Sequence, residues 1–134
     1  MAGLVDLKEI LASMNPVVDA VDCVFVTMQG TAYLDLTLLD PVASIMEAEG
    51  MSLIVPKVNA DDAGLVYEGV YRKITLRVHS ALDSVGLTAA VATALANKGI
   101  SANVVAGYYH DHIFVPVSSS REAMEVLHEL ASKQ

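Results

Sequence analysis

The sequence predicts an α+β fold in which a β-α-β-β-α order is used twice within one compact body. Three observations carry this reading. Hydrophobic residues make up 54% of the chain and charged ones 18%, with a mean hydropathy of +0.48, so a packed interior is within reach and wholesale disorder is excluded. The apolar residues switch period along the chain, from the three-and-four spacing of a helix to the alternation of a strand and back. At 134 residues there is room for one ordinary domain or two very small ones sharing a core.

The elements follow in order. "LVDLKEILASM" sets Leu4, Leu7, Leu11 and Met14 on one helical face, and Asn15-Pro16 stops it. "VDCVFVTM" is dense in β-branched and aromatic residues and reads as a strand, with Gly30 after it. "TAYLDLTLL" reads as a loop or a short edge strand. Asp40-Pro41 has the chemistry of a helix start, for a helix running to about Glu49 and ending on Gly50. "MSLIVPK" is then a strand, and "NADDAGL" one or two helical turns opened by Asn59.

"YEGVYRKITLRVHS" alternates, with Ile74, Leu76 and Val78 on one face and Thr75, Arg77 and His79 on the other. "ALDSVGLTAAVATALANKG" is the clearest helix: Leu87, Val91, Ala94 and Leu95 share a face, Lys98 lies in the last turn and Gly99 closes it. "ISANVVAGYYHDHIFVPV" reads as two strands around a turn near Gly107 to His110. Ser119 and Glu122 have capping-box spacing for a last helix with Ala123, Val126, Leu127 and Leu130 inward.

From residue 72 onward this order is the ferredoxin-like split pattern short of its final strand. Residues 17 to 65 repeat it more loosely, and "EAEGMSLIV" and "NKGISANVV" both read as helix end, glycine, strand. The expected organisation is a degenerate N-terminal unit over 1–65 and a second unit over 66–134, with antiparallel sheets and helices on one face. No Gly-, Ser- or Pro-rich linker separates them. The second unit's missing strand is expected from the N-terminal segment near Val21 to Thr27.

Composition narrows the function. A net charge of −8 and a pI near 4.7, with only eight scattered Lys and Arg, argue against nucleic acid and anionic membrane surfaces. One cysteine, Cys23, rules out an intrachain disulfide, fits a reducing compartment, and sits in an apolar run that suits a buried thiol. With neither a signal-peptide core nor an apolar run near 20 residues, the expected location is the cytoplasm.

"AGYYHDHIFVPV" concentrates the reactive side chains. On a strand His110 and His112 share one face while Asp111 takes the other. A His-x-His pair supplies two zinc ligands where a catalytic site needs three, and His79 on the neighbouring strand is the candidate third. No G-x-S-x-G elbow, phosphate loop or Cys-x-x-Cys is present. No metal or other cofactor is expected.

The stretch from Ile74 to Val117 resembles the bacterial family of small proteins with tandem ACT domains. The likeness rests on V-H-S-x-L-x-x-V-G-L-T-A leading into a helix, and on N-V-V-A-G-Y-Y-H-D-H-I-F-V-P. The arrangement is similar to that of the cytosolic arginine sensor of animals. The resemblance implies a regulatory module that binds an amino acid or similar metabolite. Its contacts would be Ser80, Ala81, Asp83, Ser84 and Gly86 before the long helix, Ile100, Ser101, Ala102 and Asn103 at the next strand entry, and Asp111 of the hairpin. Ser84 stands where that sensor has an acid, so a smaller or neutral amino acid fits the resemblance at least as well as arginine.

Elementary chemistry fits the same positions. Free N–H groups at the start of the helix suit a carboxylate, Gly86 permits close approach, and Asp111 suits an ammonium group. The alternative for Asp83 and Ser84 is plain helix capping. Three functions stand at this point: a non-catalytic sensor, a metal-dependent enzyme using His79, His110 and His112, and a ligand-free oligomerisation scaffold. The expected partners are a small metabolite, a second copy of the chain (a dimer or higher) and a separate regulated protein.

Overall fold

The computed structural model describes residues 6–29, 33–79 and 85–134, the side chains of 33–35 excepted. Leu4, Gly30, Ser80, Ala81, Asp83 and Ser84 lie outside the described residues. The elements run α1 (Leu7–Ala12), β1 (Pro16–Met28), α2 (Tyr33–Leu39), β2 (Ala43–Glu47), β3 (Gly50–Pro56), α3 (Lys57–Asp62), β4 (Tyr71–Leu76), α4 (Leu87–Ala96), β5 (Asn103–Ala106), β6 (Asp111–Pro116), a 3₁₀ turn (Val117–Ser119) and α5 (Ser120–Ser132). The strands form an antiparallel sheet of the ferredoxin-like α+β class. No described helix is long and apolar enough to cross a membrane.

The chain divides into two compact units, Met1–Asp19 with Arg72–Gln134, and Ala20–Tyr71. The larger unit is therefore discontinuous in sequence. Its strand order is β1-β4-β6-β5, with the opening residues of β1 beside β4, where Lys73 Nζ lies 3.8 Å from an Asp19 carboxylate oxygen. The N-terminal segment does supply the missing strand. The same strand also pairs with β3 through Cys23–Met28 against Pro56–Met51, and Phe25 of β1 stacks edge-on with Tyr71 at the start of β4, ring centroids 5.1 Å apart.

Periodicity built the larger unit as expected. Ile74, Leu76 and Val78 are buried with Leu87, Val91 and Leu95 of α4, Ile113 and Val115 of β6, and Ala123, Val126 and Leu127 of α5. Ile10, Leu11 and Met14 of the first helical segment join this core, and Leu7 packs on it. Asp6 caps α1, its carboxylate accepting from the Glu9 N–H at 3.0 Å. The turn after α4 closes through Gly99 at φ +72, with the Ile100 N–H donating to the Leu95 carbonyl at 3.0 Å.

The smaller unit departs from the sequence reading in three places. "TAYLDLTLL" is helix α2, not a loop or strand: Leu36 and Leu39, three apart, reach the unit's core. The expected helix from Pro41 to Glu49 is strand β2. Asp40 sits at φ +49, not in the extended backbone an N-cap needs, and the Val42 N–H donates to the Ile54 carbonyl at 2.7 Å, drawing the chain onto β3. Gly50 therefore ends a β-hairpin, and "EAEGMSLIV" is not the equivalent of "NKGISANVV". The short helix α3 starts at Lys57 after Pro56. Asn59 does not open it; its amide donates to the Leu39 carbonyl at 2.9 Å and satisfies the end of α2.

One further correction concerns α5. Ser119 makes no side-chain capping bond there, because a 3₁₀ turn precedes the helix and Ser119 adopts φ −106, ψ +1. The Ser120 hydroxyl instead donates to the Val117 carbonyl at 3.0 Å.

Candidate functional site

The site is built from the first turn of α4 and the start of β6, both in the larger unit. Gly86 precedes α4 at φ +106, a backbone that L side chains rarely adopt, and a Cβ there would lie 3.0 Å from Leu7 Cδ2. Helix geometry leaves the first N–H groups of α4 without intrahelical acceptors, the Ala90 N–H being bonded to the Gly86 carbonyl at 2.9 Å, and among the described residues no side chain caps this end.

The hairpin fixes the other half. Ala106 faces Asp111 across β5 and β6, and the turn closes with the Gly107 N–H donating to the His110 carbonyl at 2.9 Å. A Cβ on Gly107 would come within 2.8 Å of that same oxygen, so the turn excludes a larger residue. Alternation then puts Asp111, Ile113 and Val115 on the helix-covered face, and His112 on the other. This is the opposition between Asp111 and His112 that the sequence implied.

Asp111 and Thr88 line one shallow depression, about 160 Å³ counting the space open to solvent. Leu76, Val104 and Ile113 of the sheet and Leu87 and Val91 of α4 complete its lining. The walls lie close together, with no enclosed room for a water molecule. Burial pushes the Asp111 carboxyl above its ordinary value, while the neighbouring imidazoles of His112 and His110 pull it partly back.

The other predicted positions fall elsewhere. Ile100 is core, Ser101 and Asn103 are exposed, Ala102 packs on the core, and the Asn103 amide donates to the Phe114 carbonyl at 3.4 Å. Of the ten predicted ligand residues, Asp111 lines the depression, and Gly86 directly precedes its lining residues Leu87 and Thr88. The lining residues Leu76, Leu87, Thr88, Val91, Val104 and Ile113 were not singled out as site residues. Their periodicity marked several of them as core, and only the fold shows that they also border an opening.

The histidines do not assemble a metal centre. His112 Nδ1 is 2.9 Å from the Thr75 hydroxyl, and burial holds its imidazole below the ordinary value, with Lys73 and His110 adding to the effect. His79 stacks edge-on with Tyr109, ring centroids 5.8 Å apart, and Tyr109 in turn with Tyr108 at 4.9 Å. His110 Nδ1 is buried without a hydrogen-bond partner. Among the described residues no three His, Cys, Asp or Glu side chains converge where a metal ion could be held, so the His79, His110 and His112 alternative has no geometric support.

Comparison with known proteins follows the same lines. ACT domain families match residues 2–72 and 68–129. A crystal structure from Vibrio cholerae, described as a protein of unknown function and possible transport protein, is 48% identical over 93% of this chain and 95% of that one, with a TM-score of 0.85. The regulatory subunit of aspartate kinase from Thermus thermophilus, in ligand-free form, shares the fold at 12% identity and a TM-score of 0.63, over 89% of this chain and 98% of that one. The corresponding subunit from Thermus flavus does so at 11% and 0.64, over 86% and 95%. No curated protein matches. With family matches spanning both halves and the ferredoxin-like strand order in place, this chain belongs to the ACT domain family.

Proposed function

We propose that this protein is a non-catalytic regulatory module that binds an amino acid or a closely related metabolite at the start of α4. The observation that carries the reading is that Asp111 and the first turn of α4 border the same depression. A ligand carboxylate would take the open N–H groups of α4, and its ammonium group would lie against Asp111. A carboxylate held partly out of water gains most from such a partner, because the pairing offsets its desolvation. Ser80, Ala81, Asp83, Ser84 and Gly86 complete the proposed contact set. The Thermus structures that share the fold are regulatory subunits of aspartate kinase, which supports a regulatory role here.

A ligand that binds only the folded state raises stability by about 2.7 kcal/mol at one hundred times its Kd. A thermal-shift screen of the twenty amino acids is therefore expected to find at least one that stabilises the protein. Asp111→Ala is expected to abolish that response while leaving the circular dichroism of the free protein unchanged. Failure of all twenty would overturn the reading. The module is further taken to act in the cytoplasm as a homo-oligomer and on a separate protein, with light scattering on the purified chain as the check on assembly.

A further inference from the structure

The outer strand of the smaller unit is open to another chain. β2 pairs with β3 and ends the strand order, so among the described residues the backbone groups along its other side have no strand partner. Proteins guard such edges with Lys, Pro or a bulge. β2 has none of these: Ala43 to Glu47 pair one to one with Ile54 to Gly50, and the run A-S-I-M-E contains neither Lys nor Pro. The register puts Met46 on the face of Met51 and Leu53, which belong to the unit's core, and Ile45 with Glu47 on the other. Both apolar side chains stay uncovered, Ile45 at 59% exposed and Met46 at 73%.

Charge decides what can lie there. From Ala20 to Tyr71 the sequence carries eight Asp and Glu against one Lys, whereas the larger unit has eight acids and seven Lys and Arg. That single cation, Lys57, is already held by Asp61 at 2.8 Å. Glu47 at the end of β2, Glu49 in the hairpin turn and Asp40 ahead of the strand flank the edge. Two copies joined through β2 would oppose these acids to one another with no free lysine of the unit to offset them.

We infer that β2 takes up, as an added strand, an extended segment of another protein in which Lys or Arg alternates with aliphatic residues. Main-chain bonds to the open side of β2 would supply affinity, and the alternation would supply specificity. The aliphatic residues would cover Met46 on one face. On the other, the cationic side chains would lay their stems over Ile45 and bring their heads toward Glu47. This inference stands apart from the amino-acid site: loss of the thermal-shift response leaves it intact.

The test uses the full chain and a fluorescein-labelled seven-residue peptide in which lysine and valine alternate, read by fluorescence anisotropy and by amide exchange. Saturable binding is expected, with slowed exchange at Ala43 to Glu47. The Kd should rise about ten-fold between roughly 0.05 and 0.5 M NaCl. Met46→Lys, at an exposed position, is expected to weaken binding ten-fold or more; should it not fold, Glu49→Lys in the hairpin turn is expected to do so about five-fold. Equal binding of a peptide with four lysines followed by three valines would reduce the effect to charge attraction and overturn the added strand. Unchanged exchange at β2, or no saturable binding, would do the same. Tighter binding of the glutamate and valine counterpart would overturn the basic class of partner. A dimer in light scattering that Met46→Lys dissociates would give the edge to a second copy, against this inference.

Discussion

The two units carry the same hairpin with different chemistry at its foot. In the larger, Ala106 pairs with Asp111 and the strand runs D-H-I-F-V-P; in the smaller, Met46 pairs with Met51 and the strand runs M-S-L-I-V-P. Four residues separate the pair in each case. Both strands bury three consecutive residues, Ile113 to Val115 and Leu53 to Val55, and both end on a Val-Pro step that leads into a helical turn. The larger unit thus has a carboxylate where the smaller has a thioether. One architecture serves both.

Their interiors differ as well. Among the described residues the larger core has fifteen buried members and the smaller six. β2 has no buried residue at all, and Leu38, Ile45, Met46 and Val58 of the smaller unit are exposed. The sharpest test of this contrast is truncation. Leu127→Ala is expected to cost about 3–5 kcal/mol in urea unfolding, and Leu53→Ala about 2–3, since fewer fixed neighbours surround its cavity. The reverse order would break the comparison. Gly107→Ala comes next, at about 1–3 kcal/mol, because the added carbon meets the His110 carbonyl.

Smaller effects sharpen the electrostatic side. A carboxyl whose folded pKa is raised favours the protonated form in the fold, so its ionisation weakens the native state. Asp111→Asn is therefore expected to be more stable than the unaltered protein at neutral pH without ligand. That gap closes as the pH falls through the folded value toward about 3.9, the ordinary value of an unfolded Asp. His112 works with the opposite charge type: its folded pKa is lowered, so stability is full above about pH 6.5 and declines as the pH falls through the unfolded and then the folded value. His112→Gln should flatten that decline in a pH series of melting temperatures. Last, Asp6→Ala should cost about 1 kcal/mol and Ser119→Ala under about 0.5, since only the first forms its capping bond.

The larger unit was legible because its elements state their period openly. Leu87, Val91 and Leu95 mark a helix face, and Ile74, Leu76 and Val78 a strand face, before any tertiary contact is considered. The smaller unit was not, because its edge strand has no buried side chains to impose alternation, and local capping chemistry at Asp40-Pro41 contradicted the pairing that the ladder enforced. A better internal alignment was available in the Val-Pro steps at Val55-Pro56 and Val115-Pro116. They put Asp111 opposite Met51, whereas matching Gly50 to Gly99 equates a hairpin turn with a helix end. At the site, Asp111 and Gly86 were readable from chemistry and resemblance, while the apolar lining looked like any other core.

The discontinuity of the larger unit has a consequence for how the protein is made. As the nascent chain leaves the ribosome, α1 emerges ahead of β2 to α5, and the residues that enclose Ile10, Leu11 and Met14 arrive only after the whole 20–71 stretch has been synthesised. Cutting the gene at the repeat boundary would strand that helix on the wrong fragment, leaving the downstream piece with a gap where three of its innermost side chains belong.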